Sequence, residues 1–117
     1  TICEYLDLDV PEQVEGQSFA YLFEDGSISR QETAYSEYER HAGISGFSIK
    51  HGDFRYTEWI HLESGEVRFK ELYDHSIDPD ENRNAVADSK YIESLPSLSF
   101  VLHKGPAGRF IKETNAE

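Results

Sequence analysis

Phe47-Ser48-Ile49-Lys50-His51-Gly52-Asp53-Phe54-Arg55-Tyr56-Thr57-Glu58-Trp59-Ile60-His61-Leu62 is the stretch that decides the fold. Phe47 and Ile49 open one strand, and residues 54–62 form the next. In that second strand Phe54, Tyr56 and Ile60 share one face while Thr57, Trp59 and His61 share the other, the period of two that marks a half-buried sheet. His51-Gly52-Asp53 reverses the chain between them, because Gly52 takes positive φ without steric cost.

Working outward, Thr33–Glu39 alternates and is rich in tyrosine, so it suits a strand at the sheet edge. Glu63-Ser64-Gly65-Glu66 is a turn, and Val67, Phe69 and Tyr73 mark a fourth strand. Consecutive short strands with tight turns predict an antiparallel meander. Tyr91, Ile92, Leu95, Leu98 and Leu102 then recur at helical spacing, which predicts a helix over 90–104 covering one sheet face. Pro96 lies inside that pattern, so it either occupies the first turn of a helix capped by Ser94 or kinks a longer one. The expected class is α+β, a small antiparallel sheet of about four strands packed against a C-terminal α-helix.

Upstream, Ile2, Tyr5, Leu6 and Leu8 predict the last turns of a helix that Val10-Pro11 stops. Residues 1–32 read as a connector whose Phe19, Tyr21, Leu22 and Phe23 require an apolar partner. Residues 33–105 form the folded unit, and 106–117 are expected to be a flexible tail after Gly105-Pro106.

The chain has 117 residues, room for one core. Its 11 Lys and Arg against 23 Asp and Glu leave a net charge of −12, which repels nucleic-acid phosphates and anionic membranes alike. No apolar run approaches the ~20 residues that span a bilayer. With one cysteine, Cys3, no internal disulfide is possible; beside Glu4, and with no basic neighbour, it reads as a buried helix residue and not a nucleophile.

Catalytic patterns are lacking. His41, His51, His61, His75 and His103 do not fall at the i, i+4 spacing of paired metal ligands. Asp78-x-Asp80-x-Asn82 begins like a calcium loop, but Arg83 stands where the turn needs glycine and Ser89 where it needs a bidentate glutamate. A hydrogen-bonded turn accounts for it better. Arg40-His41 follows a strand and precedes the Gly43/Gly46 loop, where it reaches either local glutamates or an anion.

Several segments carry a resemblance in order along the chain. Ala34-Tyr35-Ser36-Glu37-Tyr38-Glu39-Arg40, Gly46-Phe47-Ser48-Ile49-Lys50 and Arg55-Tyr56-Thr57-Glu58-Trp59 resemble stretches of iduronate-2-sulfatase and its bacterial relatives. Glu71-Leu72-Tyr73-Asp74 with Asp78-Pro79-x-Glu81-x-x-Asn84 resembles the close of sulfatases more widely, and Pro11 with Val14-x-Gly16-x-Ser18-Phe19 is similar to the segment leaving their large domain. Glu39, Ser45 and His51 depart from the pattern.

The resemblance implies the C-terminal subdomain of a sulfatase of the alkaline-phosphatase superfamily. Such a subdomain serves sulfuric-ester hydrolysis, of a sulfated sugar in this family, only together with an N-terminal catalytic domain. That domain supplies the formylglycine nucleophile and the calcium ligands, so the resemblance implies no catalytic, metal or cofactor residue within this chain. Arg40 matches a family arginine and is the first candidate for the substrate cleft, with His41 beside it. Asp78, Pro79, Glu81 and Asn84 are implied to be structural, with Glu81 and Asn84 bonding backbone groups. The family further implies export to the periplasm, the exterior or a lysosome. Two alternatives stay open: a stand-alone acidic interaction module without catalysis, and part of another hydrolase of the superfamily.

Overall fold

Alternation along the middle of the chain builds the predicted sheet. The computed structural model describes residues 1–14, 16–28 and 33–105; the expected tail at 106–117 lies outside them. Four strands, β1 (Thr33–Arg40), β2 (Ile44–His51), β3 (Phe54–His61) and β4 (Val67–Asp74), pair antiparallel in sequence order. Gly52 takes φ +57° at the β2–β3 turn, as the reversal requires. The fold class is α+β.

One face of the sheet is apolar and covered. Phe47, Ile49, Tyr56, Ile60 and Leu72 pack with Ala85, Tyr91, Leu98 and Leu102 from the segment that follows. That segment differs from the single helix expected over 90–104. Ser89–Tyr91 forms one 3-10 turn, and the α-helix, labelled α3, runs only from Leu95 to Lys104. Pro96 explains the break: it has no N–H to donate and its ring clashes one turn back, so it is tolerated only in the first turn, where it stands. Ser94 holds the cap position but its side chain makes no capping bond. Ile92, expected on the packed face, is exposed.

The fourth strand also departs from simple alternation. A register shift opposite Trp59 and Ile60 sets Val67 against Ile60 on the core side but Phe69 against Trp59 on the other. Beyond that bulge Leu72, and not Tyr73, is the buried residue.

Residues 1–28 belong to a separate compact unit. It holds two single-turn helices, α1 (Ile2–Tyr5) and α2 (Tyr21–Glu24). The predicted helix through residue 10 ends early, because Asp7 adopts a left-handed φ of 53°. Thr1 Oγ1 accepts a hydrogen bond from the Phe19 amide at 2.9 Å, and the Tyr5 and Phe23 rings lie 5.7 Å apart. Cys3, expected buried, is partly exposed and carries a free thiol. Among the described residues, no helix is long and apolar enough to cross a membrane.

Candidate functional site

The face of the sheet opposite that core is organised by register into cross-strand rows. One row is Tyr38, Gly46, Trp59 and Phe69; the next is Ser36, Ser48, Thr57 and Glu71; a third is Ala34, Lys50, Arg55 and Tyr73. Small residues in the middle of the first two rows leave a concave groove of about 310 Å³ lined by Ser36, Tyr38, Gly46, Ser48, Arg55, Thr57, Trp59 and Glu71.

Gly46 is what opens this groove. A Cβ at that position would lie 2.7 Å from Cζ3 of Trp59, so the indole can rest against the β2 backbone only because the side chain is hydrogen. The Arg40 guanidinium carbon lies 4.4 Å from the Trp59 ring centroid, a cation–π contact at the strand end. The first sequence candidate, Arg40, is therefore oriented by Trp59, which stands on the outer face of β3 and closes the Arg55–Trp59 stretch. His41 follows it in the exposed β1–β2 turn, where Ala42 and Gly43 both take positive φ.

The groove floor is polar. Thr57 Oγ1 donates to Ser48 Oγ at 2.8 Å, and Ser48 Oγ donates to the Tyr56 carbonyl at 3.4 Å. Arg55, at the other end, pairs with Glu81 through Nη1 at 3.5 Å. Its guanidinium carries five N–H donors, so this single contact leaves most of its hydrogen-bonding capacity facing solvent and groove.

The Asp78-Pro79-x-Glu81-x-x-Asn84 segment organises the exit from β4. Asp78 Oδ1 accepts from the Asn82 backbone and side-chain amides at 3.0 Å, and Oδ2 accepts from the Arg83 amide at 3.0 Å. These donors hold the Asp78 carboxyl below the usual carboxylate range. Pro79 follows directly. Asn84 Oδ1 accepts from the Leu72 and Val86 amides while its Nδ2 donates to the Lys70 carbonyl, so its side chain pairs with β4 as a strand would. Glu81 departs from the expectation that it bonds backbone: it sits at φ 56° and meets the side chains of His75 at 2.7 Å and Arg55 at 3.5 Å.

A second polar cluster lies on the covered face, unanticipated from the sequence. Glu58 is 1% exposed and accepts hydrogen bonds from Tyr56 Oη at 2.6 Å and from Ser99 Oγ and His103 Nε2 at 2.8 Å, with Lys70 Nζ at 3.7 Å. Burial and the adjacent Glu58 push the Tyr56 phenol upward. The signal was a carboxylate at the same parity as Phe54, Tyr56 and Ile60. Among the described residues, no group of three or more His, Cys, Asp or Glu side chains could hold a metal ion.

No family model matches the chain. No curated protein matches it either. Solved structures do match, in 14 chains. One of them is the structure of BT4656 in complex with its substrate D-glucosamine-2-N,6-O-disulfate, with a TM-score of 0.69 and 20% sequence identity. That match covers 89% of this chain and 22% of the other, so this chain spans about a fifth of its neighbour's length. At this identity the likeness shows the fold.

Proposed function

We propose that this chain is the C-terminal part of a sulfatase, serving hydrolysis of a sulfate ester on a sugar together with an N-terminal catalytic domain. The observation that carries the reading is the fold likeness to a protein solved with a disulfated glucosamine as its substrate, spread over nearly all of this chain but a fifth of that one. The ordered resemblance from Ala34 to Asn84 points the same way.

Calcium and formylglycine do not fit the residues here. The described residues hold no ligand cluster, and the chain contains no Cys/Ser-x-Pro-Ser-Arg motif. Both groups belong to the N-terminal domain in this reading. This chain's own contribution is a wall of the substrate cleft at the β1–β2 end, where Trp59 holds the Arg40 guanidinium toward an anionic substrate. His41 adds a second donor beside it. The apolar side chains exposed on residues 1–28, Tyr5 and Phe23 among them, are where the catalytic domain packs.

The test is release of inorganic sulfate from glucosamine 2-N,6-O-disulfate. The isolated chain releases none, and the longer protein containing residues 1–117 does. Hydrolysis by the purified 117-residue chain, or none by the longer protein on any sulfated sugar, contradicts the proposal.

A further inference from the structure

We infer that the open sheet groove is a binding site for an acidic saccharide, meeting the proposed cleft at its Arg40 end and running from there toward Arg55. Three observations converge on it. The first is shape: a concavity of about 310 Å³ sits at the small end of the ~300–1,000 Å³ range of small-ligand pockets, the size for one or two sugar rings.

Second is the chemistry of the lining. Hydroxyls of Ser36, Ser48 and Thr57 and the carboxylate of Glu71 occupy one row, and the rings of Tyr38 and Trp59 occupy the row beside it. Sugars need this combination, because their hydroxyls pair with polar groups while their C–H faces lie on aromatic rings. Tyr38 is 66% exposed and offers such a surface. Thr57 Oγ1 spends its proton on Ser48 and presents its lone pairs as an acceptor.

Third is charge. On a chain of net charge −12, the three rows and the strand end described above bring together Arg40, Lys50 and Arg55 against the carboxylate of Glu71. Lys50 Nζ bonds the Gly52 carbonyl at the hairpin, which leaves Arg55 as the cation lining the groove, while Arg40 stacks on the Trp59 ring that lines its other end. Four residue steps along β3 separate the rows of Arg55 and Trp59, about 13 Å at ~3.3 Å per residue, the reach of a disaccharide bearing an anionic group at each end. A protein surface is a poorer occupant, since it would bury the guanidinium of Arg55 and the carboxylate of Glu71 against an already polar floor.

This inference goes beyond the sulfatase reading and stands or falls separately, because it needs no catalytic domain. Trp59 is the one tryptophan of the chain and lines the groove, so its emission reports occupancy. The 117-residue chain is titrated with a sulfated heparin disaccharide, with the same disaccharide after desulfation, and with sodium sulfate, followed by Trp59 fluorescence and by calorimetry. The expected result is saturable binding of the sulfated disaccharide alone, weakened about tenfold or more by Arg55→Gln and by Tyr38→Ala. Both variants alter exposed side chains, and circular dichroism verifies their fold. Absence of heat and of any emission change overturns the inference. So does equal binding of sodium sulfate, of the desulfated sugar, or to the two variants. A Trp59 emission that depends on protein concentration without sugar marks self-association through this face, and overturns it too.

Discussion

Nε2 of His103, on the last turn of α3, lies 2.8 Å from Oε2 of Glu58 in the middle of β3. The carboxylate is buried and the imidazole is half exposed, so the pair fastens the helix to the sheet from the rim. Ser99, one turn back on α3, donates to the other oxygen. The helix therefore rests on Leu98 and Leu102 for its area and on Glu58 for its register.

Replacing Glu58 by alanine leaves the Tyr56 hydroxyl, Ser99 and His103 without their acceptor. Breaking a buried, hydrogen-bonded charge site costs about 3 kcal/mol or more. Urea unfolding of Glu58→Ala is expected to show a loss of that order, and a loss under about 1 kcal/mol would assign α3 packing to the apolar contacts alone.

The same carboxylate sets an acid limit. Burial raises the Glu58 pKa, but hydrogen bonds from Tyr56, His103 and Ser99 outweigh it, and the folded-state value lies below the ordinary 4.5. A group held lower in the folded state stabilises fully above its unfolded value, and that stabilisation drains away as pH falls through the folded value. Unfolding midpoints of the native chain should therefore fall on acidification below about 4.5. Glu58→Gln should flatten this slope; an unchanged slope would place the titration elsewhere.

Asn84 tests the polar exit from β4. Its side chain serves the Leu72 and Val86 amides and the Lys70 carbonyl at once. Asn84→Asp keeps the acceptor but turns the donor into an oxygen facing a carbonyl, so it should cost as much as Asn84→Ala, about 2 kcal/mol. Thermal melts of the two variants decide this, and a harmless aspartate would mean the Lys70 contact carries no weight.

Gly46→Ala should displace the indole that rests on it. Overpacking of this kind costs about 1–3 kcal/mol, and Trp59 emission should shift as Arg40 loses its seat. Native emission and stability in this variant would show that the ring tilts freely.

Strands β2 and β3 were legible because Phe47, Ile49, Tyr56 and Ile60 keep a period of two around a glycine turn, broken on that face only by Glu58. β4 was legible as an element but not in its facing, since the bulge beside Val67 is invisible to a period-two count. The groove was hidden for a related reason. Tyr38, Gly46 and Trp59 are far apart in sequence, and only the pairing register sets them in one row. Arg40 stood out by its place at a strand end and by family resemblance, while its contact with the Trp59 indole needed coordinates. Glu58 was visible as a charge on an apolar face, yet its partners Ser99 and His103 lie 41 and 45 residues downstream.

Residues 1–28 expose Tyr5 at 71% and Phe23 at 68%, side chains that the proposed function assigns to a missing partner. A dye that fluoresces on apolar surfaces should bind the 117-residue chain, and Tyr5→Ser with Phe23→Ser should weaken its signal without moving the unfolding midpoint of the sheet. Undiminished dye signal would remove these residues from the docking surface.

Native mass spectrometry of the protein from its natural source tests the central claim most directly. The account predicts that residues 1–117 occur in, or bound to, a heavier chain whose Cys/Ser-x-Pro-Ser-Arg motif carries the formylglycine mass change. A 13.4 kDa species alone, or a homo-oligomer of it with no heavier partner, would contradict the account.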